Sequence, residues 1–131
     1  METELVDIAW LRPHEEIRPE RVEELREKLQ SQGFIHKPIL VDRASGTILD
    51  GHHRYTASLE LGLTRMPALL FDYLEDDSIV VDLWPSATID SITKQDIVDL
   101  ASRGERLTPK TSRHTLPADV PHIAVPLSDL R

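Results

Sequence analysis

The stretch Thr47-Ile48-Leu49-Asp50-Gly51-His52-His53-Arg54-Tyr55 decides the reading of the fold. Thr47-Ile48-Leu49 is an apolar run of strand character, and the segment from about His53 to Leu61 is helix-like. Gly51 breaks the chain between them. A polar, basic cluster therefore falls at a strand-to-helix junction. The first turn of a helix has unpaired backbone N–H groups and the positive end of the macrodipole. His53 and Arg54 at that point make a receptor for phosphate. Asp50 has the wrong sign for holding an anion unaided, which points to a metal ligand or to chemistry at a hydroxyl. The competing reading is a tight turn with Asp50 as helix cap and two surface histidines. A zinc pair is disfavoured, because helix neighbours at i and i+1 do not face one point.

Upstream, Phe34-Ile35-His36-Lys37 leads into a buried strand, Pro38-Ile39-Leu40-Val41. Asp42 to Gly46 is a turn, and Thr47-Ile48-Leu49 returns, making a hairpin. Leu5 to Trp10 alternates loosely and reads as a short strand. Arg12-Pro13-His14-Glu15-Glu16 is a loop, since the residue before a proline avoids the helical region. Pro19 suits a helix start, Val22, Leu25 and Leu29 share one face, and Gly33 is a stop. The Glu and Lys residues of that helix read as solvated surface.

Downstream, the second helix buries Tyr55 or Ala57 with Leu59 and ends at Leu61-Gly62. Met66 to Phe71 is a strand, Asp72 to Ser78 is acidic and irregular, and Ile79 to Trp84 is a strand stopped by Pro85. Thr93-Lys94-Gln95-Asp96 resembles a capped helix start, with Ile97, Leu100 and Ala101 apolar and Gly104 at its end. Leu107 to Arg131 is a proline-rich tail. The order β-α-β-β-α-β-β-α-tail predicts an α+β fold with a small mixed sheet and flanking helices, in one domain over residues 1–131.

With 131 residues the chain can bury a real core. A formal net charge of −8 argues against direct nucleic-acid binding, which needs a basic face, but leaves room for a small anion held locally. The absence of cysteine excludes disulfides, thiolate metal sites and a cysteine nucleophile. No apolar run reaches the roughly 20 residues of a membrane helix, and Met1-Glu2-Thr3-Glu4 is unlike a secretory signal, so a cytoplasmic protein is expected.

Three further places carry chemistry. Glu15 in the first loop is a candidate general base for a hydroxyl, against a bland role as helix N-terminal charge. In Pro109-Lys110-Thr111-Ser112-Arg113-His114, an extended chain directs Lys110, Ser112 and His114 one way and Thr111 and Arg113 the other. The first set suits a carboxylate or phosphate; the alternative is an exposed basic loop. Trp84 is either core or the wall of a small-molecule pocket.

Together these residues resemble the ParB/sulfiredoxin-like superfamily. The resemblance lies in Pro38-Ile39-Leu40-Val41, in Ile48 to Tyr55, and in Leu61-Gly62 followed by Met66-Pro67. The Asp-Gly-His-His-Arg form is similar to that of the free L-serine kinases, which phosphorylate the amino acid using ADP or ATP. The match extends to His14-Glu15 and to Lys110-Thr111-Ser112-Arg113-His114.

The resemblance implies a ParB/sulfiredoxin-like fold and a phosphotransferase giving O-phospho-L-serine, with Mg²⁺ as cofactor and the nucleotide as donor. It assigns Glu15 as catalytic base, with Glu16 the fallback, and Asp50 as a catalytic residue at the metal or hydroxyl. It assigns Gly51, His52, His53 and Arg54 to phosphate, and Trp84, Lys110, Thr111, Ser112, Arg113 and His114 to the substrate. This chain is much shorter than those kinases, mostly between Trp84 and Lys110. The alternatives are a ParB-like nucleotide-binding module without transfer, in partition or transcription, and a nuclease. Sulfiredoxin activity is excluded by the missing cysteine.

Overall fold

Two strands without a polar face set the architecture. Strand β3 (Ile39–Asp42) is buried at every position, and β5 (Arg65–Phe71) at every position after its first. Strands covered on both faces read as continuous apolar runs, and these two pair in parallel from Ile39–Ala68 to Asp42–Phe71. β1 (Glu4–Asp7) adds antiparallel to β5, and β4 (Ile48–Asp50) antiparallel to β3. The result is a four-stranded mixed sheet in the order β1-β5-β3-β4. The computed structural model describes residues 2–109, 111–116 and 120–131, so Lys110 lies outside the described residues.

Side chains alternate across the sheet. Ile39, Val41, Ala68 and Leu70 face one core with Ile8, Leu11, Ile48 and Met66. Leu40, Leu69 and Phe71 face another with Leu49, Tyr73, Ile79 and Ile97. This is the α+β mixed sheet predicted from the element order.

The helices start and stop where local chemistry dictates. Helix α1 (Pro19–Gln32) opens on proline and closes on Gly33, whose left-handed backbone (φ 77°) lets its N–H reach Leu29 O at 2.8 Å. α2 spans His52–Glu60. In α3 (Lys94–Ser102) Thr93 and Asp96 form a reciprocal capping box. Val22 and Leu29 of α1 meet Ala57 of α2 in a third apolar cluster with Ile35, Leu63, Leu127 and Leu130. Among the described residues no helix is long and apolar enough to cross a membrane.

Three local expectations need correction. The first strand stops at Asp7, and Ile8–Trp10 forms a 3₁₀ turn. The Ile8 N–H turns to Thr64 O (2.9 Å), and Trp10 packs on Gly46, where a Cβ would lie 2.6 Å from the Trp10 carbonyl. Ala57 is buried as expected, but Leu59 is 45% exposed; α2 buries Ser58 in its place, because α1 lies against the Ala57 side. The proline-rich tail is also structural. Its β8 (Val125–Pro126) pairs with β2 (Phe34–Ile35), and Leu127 and Leu130 fill the α1–α2 cluster. Burial of each such leucine contributes roughly 1.5–3 kcal/mol. The tail also supplies β7 (Ser112–Thr115), antiparallel to β6 (Val80–Leu83).

Candidate active site

The turn that begins α2 is built around Gly51. Its φ of 108° is a left-handed conformation, and a Cβ there would collide with the fully buried Ile39 side chain. The chain can thus bring its backbone flat against β3 and enter α2 at once. No side chain caps the helix, so the capping role for Asp50 is not realised. Asp50 is exposed at the end of β4. Burial lowers the Arg54 pKa while Asp50 opposes that shift, and the guanidinium stays charged.

This turn opens on a cleft of about 1030 Å³. Glu15, Asp50, Gly51, His52, His53, Arg54, Trp84, Ser112, Arg113 and His114 all line it, so residues from four separate stretches of sequence meet in one place. Six cationic side chains, Arg18, Arg21, Lys28, Lys37, Arg54 and Arg113, face the two carboxylates Glu15 and Asp50. A chain of net charge −8 thus concentrates positive charge in this hollow. Such a hollow focuses field on an anion. Two expected residues stand apart. Glu16 is exposed and uses its N–H on Leu107 O (2.7 Å). Thr111 is buried, its hydroxyl donating to Thr108 O (2.8 Å).

The loop carrying Glu15 is tied down on both sides. The His14 N–H donates to His52 Nε2 and the Arg18 N–H to His53 Nε2, each at 3.1 Å. The His14 carbonyl accepts from the Leu107 N–H at 2.8 Å. Both imidazoles of α2 therefore act as acceptors and carry their proton on Nδ1. Burial lowers the His52 pKa well below its ordinary value, with His14 and His53 adding to the effect. Burial, then Arg21 and Arg18, lower that of His53. Both rings thus spend Nε2 on the backbone of the Glu15 loop.

His14 itself is 1% exposed and links the cleft's parts. Its Nδ1–H donates to Ile48 O at 2.8 Å, which leaves Nε2 to accept from the Ser112 hydroxyl at 3.2 Å. Its ring meets those of His52 (4.6 Å) and His114 (5.7 Å) edge-on. His114 Nε2 shares a 2.8 Å hydrogen bond with the Tyr73 hydroxyl. Burial, followed by the charge on its neighbour, takes both His14 (beside His114) and His114 (beside Lys94) down to about 4. Burial pushes the Tyr73 phenol up. Across the cleft the Arg113 guanidinium stacks on Trp84, 4.9 Å from the ring centroid. Trp84 is held there because its backbone N–H donates to Thr111 O (3.0 Å).

Sequence reasoning passed over His14, Arg18, Arg21, Lys28 and Lys37 as site residues. A signal existed for part of this set: Arg21, Leu25, Lys28 and Gln32 lie on one helical stripe of α1, and all four line the cleft. The helix face read as plain solvated surface is in part a cleft wall. His14 gave no local signal, because its partners lie 34 and 98 residues away.

The chain is similar to curated proteins. It is 41% identical over 98 residues to an ATP-dependent L-serine kinase of Staphylothermus marinus, covering 72% of this chain and 38% of that relative. It is 31% identical over 85 residues to the ADP-dependent L-serine kinase SerK of Thermococcus kodakarensis, covering 62% of this chain and 35% of the relative. The chain thus spans well under half the length of either relative. A solved free serine kinase variant in complex with ADP shares the fold, with a TM-score of 0.90 at 20% identity over 100% of this chain and 95% of that one. Residues 1–87, which hold the four-stranded sheet, the Glu15 loop and the α2 turn, match the ParB N-terminal domain, and the chain is a member of that family.

Proposed function

We propose that the cleft transfers a phosphoryl group from ADP or ATP to the hydroxyl of L-serine. One observation carries this reading: the Glu15 carboxylate, the uncapped first turn of α2 and the Ser112–His114 strand open onto the same cationic hollow. The relatives named as ATP- and ADP-dependent L-serine kinases support the donor and acceptor.

Phosphoryl transfer is mostly positioning and charge neutralisation. The backbone amides of His52, His53 and Arg54, with the Arg54 guanidinium, hold the transferred phosphate. Glu15 takes the proton from the serine hydroxyl as the new O–P bond forms and the bond to the departing nucleotide phosphate breaks. Trp84, Arg113, Ser112 and His114 face the amino acid, with Arg113 matched to its carboxylate. Mg²⁺ usually binds one or two carboxylates plus substrate phosphates. That fits a cleft with two carboxylates and, among the described residues, no cluster of three or more metal-ligating groups. Asp50 is the residue that would hold it, and the ion would neutralise charge between phosphate oxygens.

The test is incubation with Mg²⁺, L-serine and ADP, ATP or CTP in turn, followed by mass spectrometric detection of O-phosphoserine. Product with ADP or ATP supports the reading. Nucleotide binding without product favours the second reading, a nucleotide-binding module, which the match to the ParB N-terminal domain supports.

A further inference from the structure

Adjacent residues on a helix point about 100° apart. His52 and His53 therefore cannot direct both rings at one phosphate, but they can grip a passing chain at two points. The structure has that arrangement. His52 Nε2 accepts from the backbone of His14 and His53 Nε2 from the backbone of Arg18, at 3.1 Å each. Glu15 lies between the two gripped positions. The Leu107 backbone holds the same loop from the other side, through His14 O and Glu16 N.

We propose that the His52 and His53 side chains are positioning residues that fix the Glu15 carboxylate relative to the amides of the α2 first turn, and that they do not contact phosphate through their rings. This rests on the kinase reading above for its link to activity. The geometry requires a neutral acceptor at each ring's Nε2; lysine or arginine, which only donate, cannot serve. The pair also couples two functions mechanically, because the helix turn that offers amides to the anion is the one that holds the base. Small displacements of a reacting group cost large factors in rate.

His53 is the position to test, since it is partly exposed whereas His52 is buried. His53→Leu removes the acceptor; His53→Gln restores one near the same place. Two measurements separate the possibilities. Amide hydrogen exchange needs no activity: the Arg18 amide is expected to lose protection in His53→Leu and regain it in His53→Gln. Unchanged protection in His53→Leu overturns the proposal. In the kinase assay, His53→Leu is expected to lower kcat roughly ten- to a hundredfold, with ADP affinity by calorimetry within about threefold of the parent and kcat recovered in His53→Gln. Parallel loss of affinity in both variants overturns it in favour of a ring–phosphate contact. If the parent chain makes no phosphoserine, the kinase reading fails, and the exchange result alone decides the clip.

Discussion

The two walls of the cleft are built to different standards. One wall, the α2 turn, stands on β3 and β4, where Ile39, Val41 and Ile48 are wholly buried. The other, the β6–β7 ribbon, has only two strands, with exposed residues at alternate positions or nearly so. A two-stranded ribbon is marginal by itself. This one is joined to the body through side chains, Ser112 to His14 and His114 to Tyr73, while Arg113 on Trp84 braces it internally. The difference is instructive. Backbone amides aimed at an anion must be rigid before the ligand arrives, so they sit on the sheet. In the proposed transfer, side chains that meet the acceptor tolerate a shallower mounting.

The contrast can be broken first at the seam. The Glu15 loop is joined to both walls through His14, whose N–H donates to His52 on one side and whose ring accepts from Ser112 on the other. Glu15→Gln keeps the shape and removes the base, and should reduce phosphoserine formation by about 10²–10⁴-fold with ADP affinity nearly intact in calorimetry. Equal loss of both would contradict the assigned role. Next comes the rigid wall. Gly51→Ala forces a Cβ onto Ile39 at a left-handed backbone. Urea unfolding should show a loss of about 2–4 kcal/mol, spread over the whole sheet.

Acidification tests the seam more gently. His14 and His114 titrate at about 4 in the folded chain, against an ordinary histidine value of 6.5 once unfolded. Unfolding lets them take up protons, so their contribution to stability is complete above about pH 6.5 and declines as pH falls toward 4. Each can contribute a slope of up to about 1.4 kcal/mol per pH unit in that window. Denaturant midpoints at pH 7, 6 and 5 should fall accordingly, and a flat profile would mean the imidazoles are already hydrated. The smallest effect belongs to the ribbon. Ser112→Ala removes the hydroxyl that His14 accepts from and should cost about 1 kcal/mol, with exchange quickening in β7 before the sheet.

The sheet and α1 were legible because their signals are local. Pro19 and Gly33 mark helix ends by their own backbone preferences, and the short apolar run Met66 to Phe71 reads as a strand. The 3₁₀ turn at Ile8–Trp10 was not, since Thr64 and Gly46 decide it from elsewhere in the chain. The role of Leu127 and Leu130 was hidden for the same reason: two leucines in a proline-rich tail carry no period. Within the site, the resemblance to the free serine kinases implied which stretches would meet, and Glu15, Asp50, the α2 turn, Trp84 and the Ser112–His114 strand line one cleft. The charge state of the histidines was illegible, because it depends on burial and on the loop that lies over them.

The distribution of charge has a consequence for which polyanions can approach. Acidic residues outnumber basic ones 23 to 15 over the chain, yet basic ones prevail inside the hollow. A long phosphodiester strand would carry most of its phosphates beyond the basic lining, over a chain of net negative charge. A small anion need meet only that lining. Repulsion over a Debye length of roughly 8 Å thus sorts ligands by extent as well as by sign, before any direct contact is made.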